Sequence, residues 1–227
     1  MIKTVVFDLD DTLYDEIEYC KSGFLAAAKF ISNWPGSPTS EQINNTLWKQ
    51  FTAGNHTKTF NAALDELKIP YNENLIIEMV KIYRSHKPDI KLPQDSREAL
   101  NRLGKKYTLG LLTDGFLPAQ KLKTQALDIE KYFKSIIYTE ELGRDCWKPS
   151  PAGFIKIMDN LDAKPENTVY IADNEEKDFI APNQLGILTI QLIRPARLHT
   201  LAGRGFDAPA KEIIDQISRL PALLEEL

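Results

Sequence analysis

Cysteine is scarce in this chain. Cys20 and Cys146 are the only two among 227 residues, too few and too scattered for a disulfide framework or a zinc site, so both read as free thiols. No apolar run approaches the roughly 20 residues needed to cross a bilayer. Met1-Ile2-Lys3-Thr4 leads straight into an apolar segment, which leaves no room for a signal peptide and predicts a cytoplasmic protein. A long basic run is missing too, and the formal charge is −4, so the electrostatic footprint of a nucleic-acid binder is absent. No internal repeat or low-complexity tract interrupts the chain. What is present, 43% hydrophobic and 26% charged residues, is the composition of a globular protein. Its length suits one α/β domain with an accessory unit.

The most informative stretch is Phe7-Asp8-Leu9-Asp10-Asp11-Thr12-Leu13, where the apolar run Thr4 to Phe7 ends abruptly in carboxylates. A buried parallel strand reads as a continuous apolar run, and ligands bind where the carboxyl ends of such strands open into a crevice. Residues two apart on extended chain face the same side, so Asp8 and Asp10 are expected to share a pocket while Leu9 turns inward. Two neighbouring carboxylates repel, and a hard divalent cation such as Mg²⁺ neutralises them. The bland reading is a turn that caps a helix.

Between Asp15 and Trp34, Ile17, Cys20, Phe24, Ala27 and Ile31 recur at helical spacing. A second helix is predicted from the capping-box pattern Thr39-Ser40-Glu41-Gln42, and two more lie before Pro70 and before Pro88. Residues 15–87 therefore read as four amphipathic helices without a strand, an insertion rather than the crossovers of a βαβ array. From Pro93 onward helix and strand alternate. Strands are predicted over residues 107–113, 135–138, 168–172 and 187–193, and a last helix over 210–220. This predicts a doubly wound, mainly parallel Rossmann-like α/β sheet, built from residues 1–14 and 88–227, with an inserted four-helix bundle.

Three further strand or helix ends carry chemistry. Thr113-Asp114-Gly115 offers a hydroxyl and a glycine that lets backbone approach a ligand, although the same triplet is an ordinary turn. Lys148, ahead of a helix that starts after Pro149, could bring a point charge to where carboxylates and phosphate would crowd, although a lone lysine before such a proline is more commonly solvated. Asp173 and Asp178, in Asp173-Asn174-Glu175-Glu176-Lys177-Asp178, offer more oxygen ligands for a hard cation.

The D-x-D-x-T of residues 8–12, the hydroxyl of Thr113, the K-P-S-P-x-x-F of residues 148–154 and the paired aspartates 173 and 178 together resemble, in order, the four motifs of the haloacid dehalogenase (HAD) superfamily. The helical insertion resembles that family's C1 cap, with hinges near Tyr14-Asp15 and across Lys87–Pro93. Asp114 departs from the usual Asn, and Ala172 replaces the usual Gly. The resemblance implies a Mg²⁺-dependent phosphatase acting on a small phosphorylated metabolite. Asp8 would be the nucleophile and Asp10 the general acid and base, with its pKa moved toward neutrality. Thr113 and Lys148 would hold the phosphoryl group, helped by backbone amides of Leu9, Asp10 and Asp114 and by Gly115. Asp8, the Asp10 carbonyl and Asp173 would bind the metal, and Asp178 would support the metal's water shell or Lys148.

Dehalogenases of the superfamily lack an aspartate at the place of Asp10. A phosphoglucomutase shares both aspartates, and a non-catalytic regulatory protein would normally have lost one of Asp8, Asp10, Lys148 or Asp173. A receiver domain, which also takes phosphate on an aspartate, is shorter and lacks the insertion. Substrate choice in capped enzymes lies with the cap, where Lys21, Lys49, Asn55, His56 and Lys58 are candidates. The stretch Arg194–Arg204, with Arg197 and His199, either flanks the site or is a plain loop. Cys146 and Trp147 either reach the pocket or merely pack. A monomer or homodimer is expected, without nucleic-acid or membrane partners.

Overall fold

Thr4-Val5-Val6-Phe7, buried at all four positions, lies inside the sheet because it can: every side chain is apolar or small enough to be covered on both faces. The computed structural model describes residues 1–198 and 208–227. Its strands are β1 (Thr4–Phe7), β2 (Thr108–Thr113), β3 (Ser135–Tyr138), β4 (Thr168–Ala172), β5 (Leu188–Leu192) and β6 (Glu212–Ile214). They form one sheet in the order β3-β2-β1-β4-β5-β6, and every pairing is parallel. The chain first walks outward through β2 and β3, then returns to the other side of β1 at β4. That reversal opens a crevice at the carboxyl ends of β1 and β4. Phe7 is in register with Leu111 and with Ile171, so the residues that follow β1, β2 and β4 emerge along one edge.

Contacts divide the chain into two units, Met1–Ile17 with Lys91–Leu227, and Glu18–Ile90. The second unit holds nearly all of α1 (Glu16–Ser32) and the whole of α2 (Ser40–Thr52), α3 (Thr59–Glu66) and α4 (Glu73–Ser85). The helical pattern of residues 15–87 puts this boundary three residues earlier at each side. Thr39 accepts from the Gln42 amide while the Gln42 side chain accepts from Thr39, a complete capping box at the start of α2. Phe24 anchors the interior of this unit, with Phe51, Tyr83 and Phe60 at ring-centroid distances of 5.3, 5.4 and 6.1 Å. Gly23 permits the approach of α1 to α4, since a Cβ there would lie 2.5 Å from Tyr83 Cδ2.

In the sheet unit α5 (Gln94–Leu103), α6 (Ala119–Ala126), α7 (Ala152–Leu161) and α8 (Ile180–Leu185) make the connections between strands. Phe154 and Ile157 of α7 pack with Val6, Leu112 and Tyr170 on one face of the sheet.

The predicted last helix over residues 210–220 is wrong. Glu212–Ile214 forms the edge strand β6, and the terminal helix is α9 (Leu220–Glu226). Ala210, Ile213, Ile214 and Ile217 mimic helical spacing, but pairing with β5 wins over that pattern. Lys211 N donates to Thr189 O at 3.0 Å and Ile193 N to Ile214 O at 2.9 Å. Pro221 sits in the first turn of α9, where its missing N–H costs nothing.

Candidate active site

The end of β1 delivers Asp8 into a cluster of buried charges. Lys148 Nζ lies 2.6 Å from Asp8 Oδ1 and 2.7 Å from Asp178 Oδ1, and it also donates to the Tyr170 hydroxyl at 2.9 Å. Asp178 Oδ2 accepts from the Asn174 amide at 3.1 Å. Carboxylate oxygens of Asp8, Asp173 and Asp178 lie within 4.8 Å of one another, and Asp173 Oδ2 is buried with no hydrogen-bond partner among the described residues. Burial pushes Asp8 up to about 7, with Lys148 opposing. Burial, joined by the charges of Asp178 and Asp8, pushes Asp173 up to about 9. Burial would likewise raise Asp178, but Lys148 and Lys177 outweigh it and hold that carboxyl below its ordinary value. Burial alone would lower Lys148, yet Asp178 and Asp8 keep its ammonium well above the usual range. Three buried carboxylates around one lysine leave an excess of negative charge, and the donors are all oxygen. An orphaned oxygen on Asp173 completes a set that suits a small hard dication.

Asp10 belongs to a second cluster. Its Oδ1 accepts from Lys123 at 2.7 Å and from the Tyr14 hydroxyl at 2.6 Å, and its Oδ2 from Gln120 at 2.9 Å. Lys123 and Gln120 sit one turn apart on α6, both almost fully buried. The expectation that the Asp10 pKa moves toward neutrality does not hold in this arrangement. Burial raises it, but the Lys123 charge and the three hydrogen bonds more than reverse that, leaving it below its ordinary value. Lys123 also reaches Glu16 at 3.3 Å.

Thr113 ends β2 as predicted and is buried, with Gln120 Nε2 2.6 Å from its hydroxyl. The carboxylate of Asp114 accepts from Thr139 at 2.8 Å and from the Lys148 amide at 3.2 Å, and it faces Lys177 at 3.4 Å. The unusual aspartate thus ties the second motif to the backbone of the third, and Lys177 balances its charge. Leu9 is fully buried, in keeping with the alternation that separates it from the aspartates on either side. Asp8, Asp10, Glu16, Trp147, Asp173 and Lys177 are among the residues that line a cavity of about 150 Å³, with Gly115 and Asp114 at its wall. Trp147 therefore reaches the pocket. Cys146 does not line it; its thiol donates to Leu142 O.

The segment after β5 is more than a plain loop. Arg194 donates to the carbonyls of Thr12 and Leu13 and, at 2.7 Å, to Ser96. Arg197 holds Glu175 through both terminal nitrogens and donates to the Asp173 carbonyl at 3.0 Å. Asp11, at φ 54°, accepts from the amides of Glu16 and Leu198; burial pushes it up to about 7. His199 to Arg204 lie outside the described residues. In the helical unit, Lys21 pairs with Glu18 and Lys49 with Glu66. There Asn55 donates to Gln50, His56 packs on Phe51, and Lys58 is exposed.

The sequence motifs do not point to Gln120, Lys123, Tyr170 or Lys177, whereas Arg197 lies in the stretch that the sequence offers as either a flank of the site or a plain loop. Gln120 and Lys123 give a faint signal, being polar residues three apart on the face of α6 that should be apolar. Tyr170 shares a strand face with Ala172 by alternation.

Residues 5–192 match the family model of haloacid dehalogenase-like hydrolases. The chain belongs to this family. Among curated relatives, it is 28% identical to a glyceraldehyde 3-phosphate phosphatase of Methanopyrus kandleri, over 100% of this chain and 99% of that protein. It is 24% identical to the pyrophosphatase PpaX of Bacillus mycoides, over 100% and 98%. Among solved structures, a putative beta-phosphoglucomutase from Thermotoga maritima superposes with a TM-score of 0.71 at 20% identity, covering 100% of both chains. This last likeness speaks for the HAD fold. Among the described residues no helix is long and apolar enough to cross a membrane.

Proposed function

We propose that this HAD hydrolase is a Mg²⁺-dependent phosphatase that hydrolyses a small phosphomonoester through a phosphoryl group carried on Asp8. The observation that carries this reading is the position of Asp8, buried between the Lys148 ammonium and the oxygens of Asp173 and Asp178. An oxygen of Asp8 attacks phosphorus as the bond to the leaving oxygen breaks, and Asp10 gives that oxygen a proton. Water then attacks the phosphorus of the acyl phosphate, Asp10 takes its proton, and Asp8 is freed, so one hard displacement becomes two easier ones. A Mg²⁺ ion held by Asp8, Asp173 and the Asp10 carbonyl, with Asp178 behind them, would supply charge neutralisation and keep the nucleophile ionised.

Lys148 and Thr113 bind phosphoryl oxygens, and Asp178 keeps Lys148 charged and aimed. Asp10, ionised beside Lys123 in the resting site, gains its proton more readily when a phosphate anion lies against it, because like charges raise a carboxyl pKa. The presence of Asp10 favours an ester with a poor leaving group over a halide. The likeness to phosphatases of glyceraldehyde 3-phosphate, over 100% and 99% of this chain, supports starting a substrate screen with small sugar phosphates. The test is turnover of p-nitrophenyl phosphate with Mg²⁺. Activity that EDTA abolishes and Mg²⁺ restores is expected, and Asp8→Asn should abolish it. Undiminished turnover by Asp8→Asn would remove the nucleophile assignment.

A further inference from the structure

We propose that Gln120 is a positioning residue that sets two catalytic groups at once: it leaves the Thr113 hydroxyl as a donor toward the phosphoryl group and it aims the carboxylate of Asp10. The inference rests on the phosphatase reading above. The side-chain amide nitrogen has two hydrogens, and both are used. One goes to Asp10 Oδ2 at 2.9 Å and one to Thr113 Oγ1 at 2.6 Å. The orientation of the amide follows from its partners, since turning it over would press its oxygen against a carboxylate.

The consequence for Thr113 is one of polarity. A hydroxyl has a single proton and accepts through its oxygen. Gln120 fills the accepting side, and among the described residues the acceptor for the Thr113 proton is the Asp114 carbonyl, 3.4 Å away, too long for a strong bond. The proton is left for a phosphoryl oxygen. For Asp10, Lys123 and Tyr14 both hold Oδ1, and Gln120 holds Oδ2, so the amide fixes the carboxylate plane. Gln120 is 2% exposed, which keeps water from substituting for it.

The glycine of Thr113-Asp114-Gly115 belongs to the same device. A Cβ at Gly115 would lie 2.7 Å from Gln120 Cδ, and the residue's φ of +140° excludes ordinary side chains as well. Glycine is required here to admit the amide, in addition to any approach of backbone to ligand.

The experiment compares wild type, Gln120→Met, which keeps the length and loses the donors, and Gln120→Glu, which keeps the shape and turns a donor into an acceptor. Each is assayed with Mg²⁺ on p-nitrophenyl phosphate and on an alkyl phosphate such as glycerol phosphate, with kcat and KM determined separately. If Gln120 aims the general acid, Gln120→Met lowers kcat/KM, which reports the step that expels the leaving group, by about 100-fold on the alkyl ester and by no more than about 10-fold on the activated ester. KM rises for both esters through Thr113. Gln120→Glu is worse on every count, because it takes the Thr113 proton and repels Asp10. In an Asp10→Asn background, Gln120→Met brings no further leaving-group-dependent loss. Should Gln120→Met not fold, as judged by circular dichroism and thermal unfolding, Gln120→Asn retains the amide but cannot span both partners, and the same leaving-group dependence is expected of it. Equal losses of kcat/KM on the two esters, or a leaving-group-dependent loss that adds to that of Asp10→Asn, overturn the role of Gln120 while leaving the phosphatase reading intact. A wild-type protein inactive on every phosphomonoester overturns the reading itself.

Discussion

Lys148 and Asp178 form a salt bridge of 2.7 Å in which both side chains are 1% exposed. Asp178 is thus the more deeply buried counter-ion of the lysine, and in the proposed phosphatase Asp8, 2.6 Å away on the same ammonium, is the partner given up to chemistry. Breaking a buried pair from one side leaves an unpaired charge and costs about 3–5 kcal/mol. Lys148→Met is therefore expected to lower stability by that order and to abolish turnover. Asp178→Asn should lower kcat more than it raises KM, because the ammonium stays but is no longer aimed. Urea unfolding and steady-state kinetics on both variants and their double mutant check this. A double mutant whose losses are simply the sum of the two singles would mean that the pair is not coupled.

Asp8, Asp11 and Asp173 have folded-state pKa values raised from 3.8 to about 7, 7 and 9. Above about pH 4 the unfolded chain has released these protons, whereas the metal-free folded chain holds those of Asp8 and Asp11 up to about pH 7 and that of Asp173 up to about pH 9. Stability in EDTA is consequently expected to fall as pH rises through that window. Asp10 and Asp178 are shifted the other way and act only at acid pH. Mg²⁺ competes with the same protons, so its stabilising effect should grow with pH. Thermal unfolding at pH 5, 7 and 9, with EDTA and with Mg²⁺, is the measurement; a Mg²⁺ effect that shrinks with pH contradicts the assignment.

Arg197 and Gln191 both donate to the Asp173 carbonyl, each at 3.0 Å, and Glu175 locks the arginine in place. Groups that orient a metal ligand from behind typically change affinity 10- to 100-fold when removed. Arg197→Met is expected to weaken Mg²⁺ binding by about 10-fold. Isothermal titration calorimetry reads this directly, without substrate. An unchanged affinity would limit Arg197 to holding its own loop.

Strand ends were the legible part of the site. Asp8, Thr113 and Asp173 announce themselves because each follows an apolar run, and the structure brings them to one edge of the sheet. Side chains that approach from helices were hidden. Lys123 and Gln120 on α6 look like ordinary surface residues until the face they occupy is known to be buried, and Lys177 reads as part of a solvated acidic turn. The Asp10 pKa was misjudged for this reason: its direction depends on Lys123, whose contact spans 113 positions of sequence. In the fold, the strands over residues 135–138 and 168–172 were read to the residue. β6 was missed because three residues with one buried side chain carry no alternation to detect.

The central claim is that Asp8 carries the phosphoryl group, and the direct measurement is to trap it there. Enzyme turning over a phosphomonoester with Mg²⁺ is quenched in acid, treated with borohydride and digested, and its peptides are weighed. Reduction of the acyl phosphate is expected to convert Asp8 to homoserine when substrate and Mg²⁺ are both present, and not when EDTA replaces the metal. Conversion at another residue, with Asp8 left intact during undiminished turnover, would contradict the account.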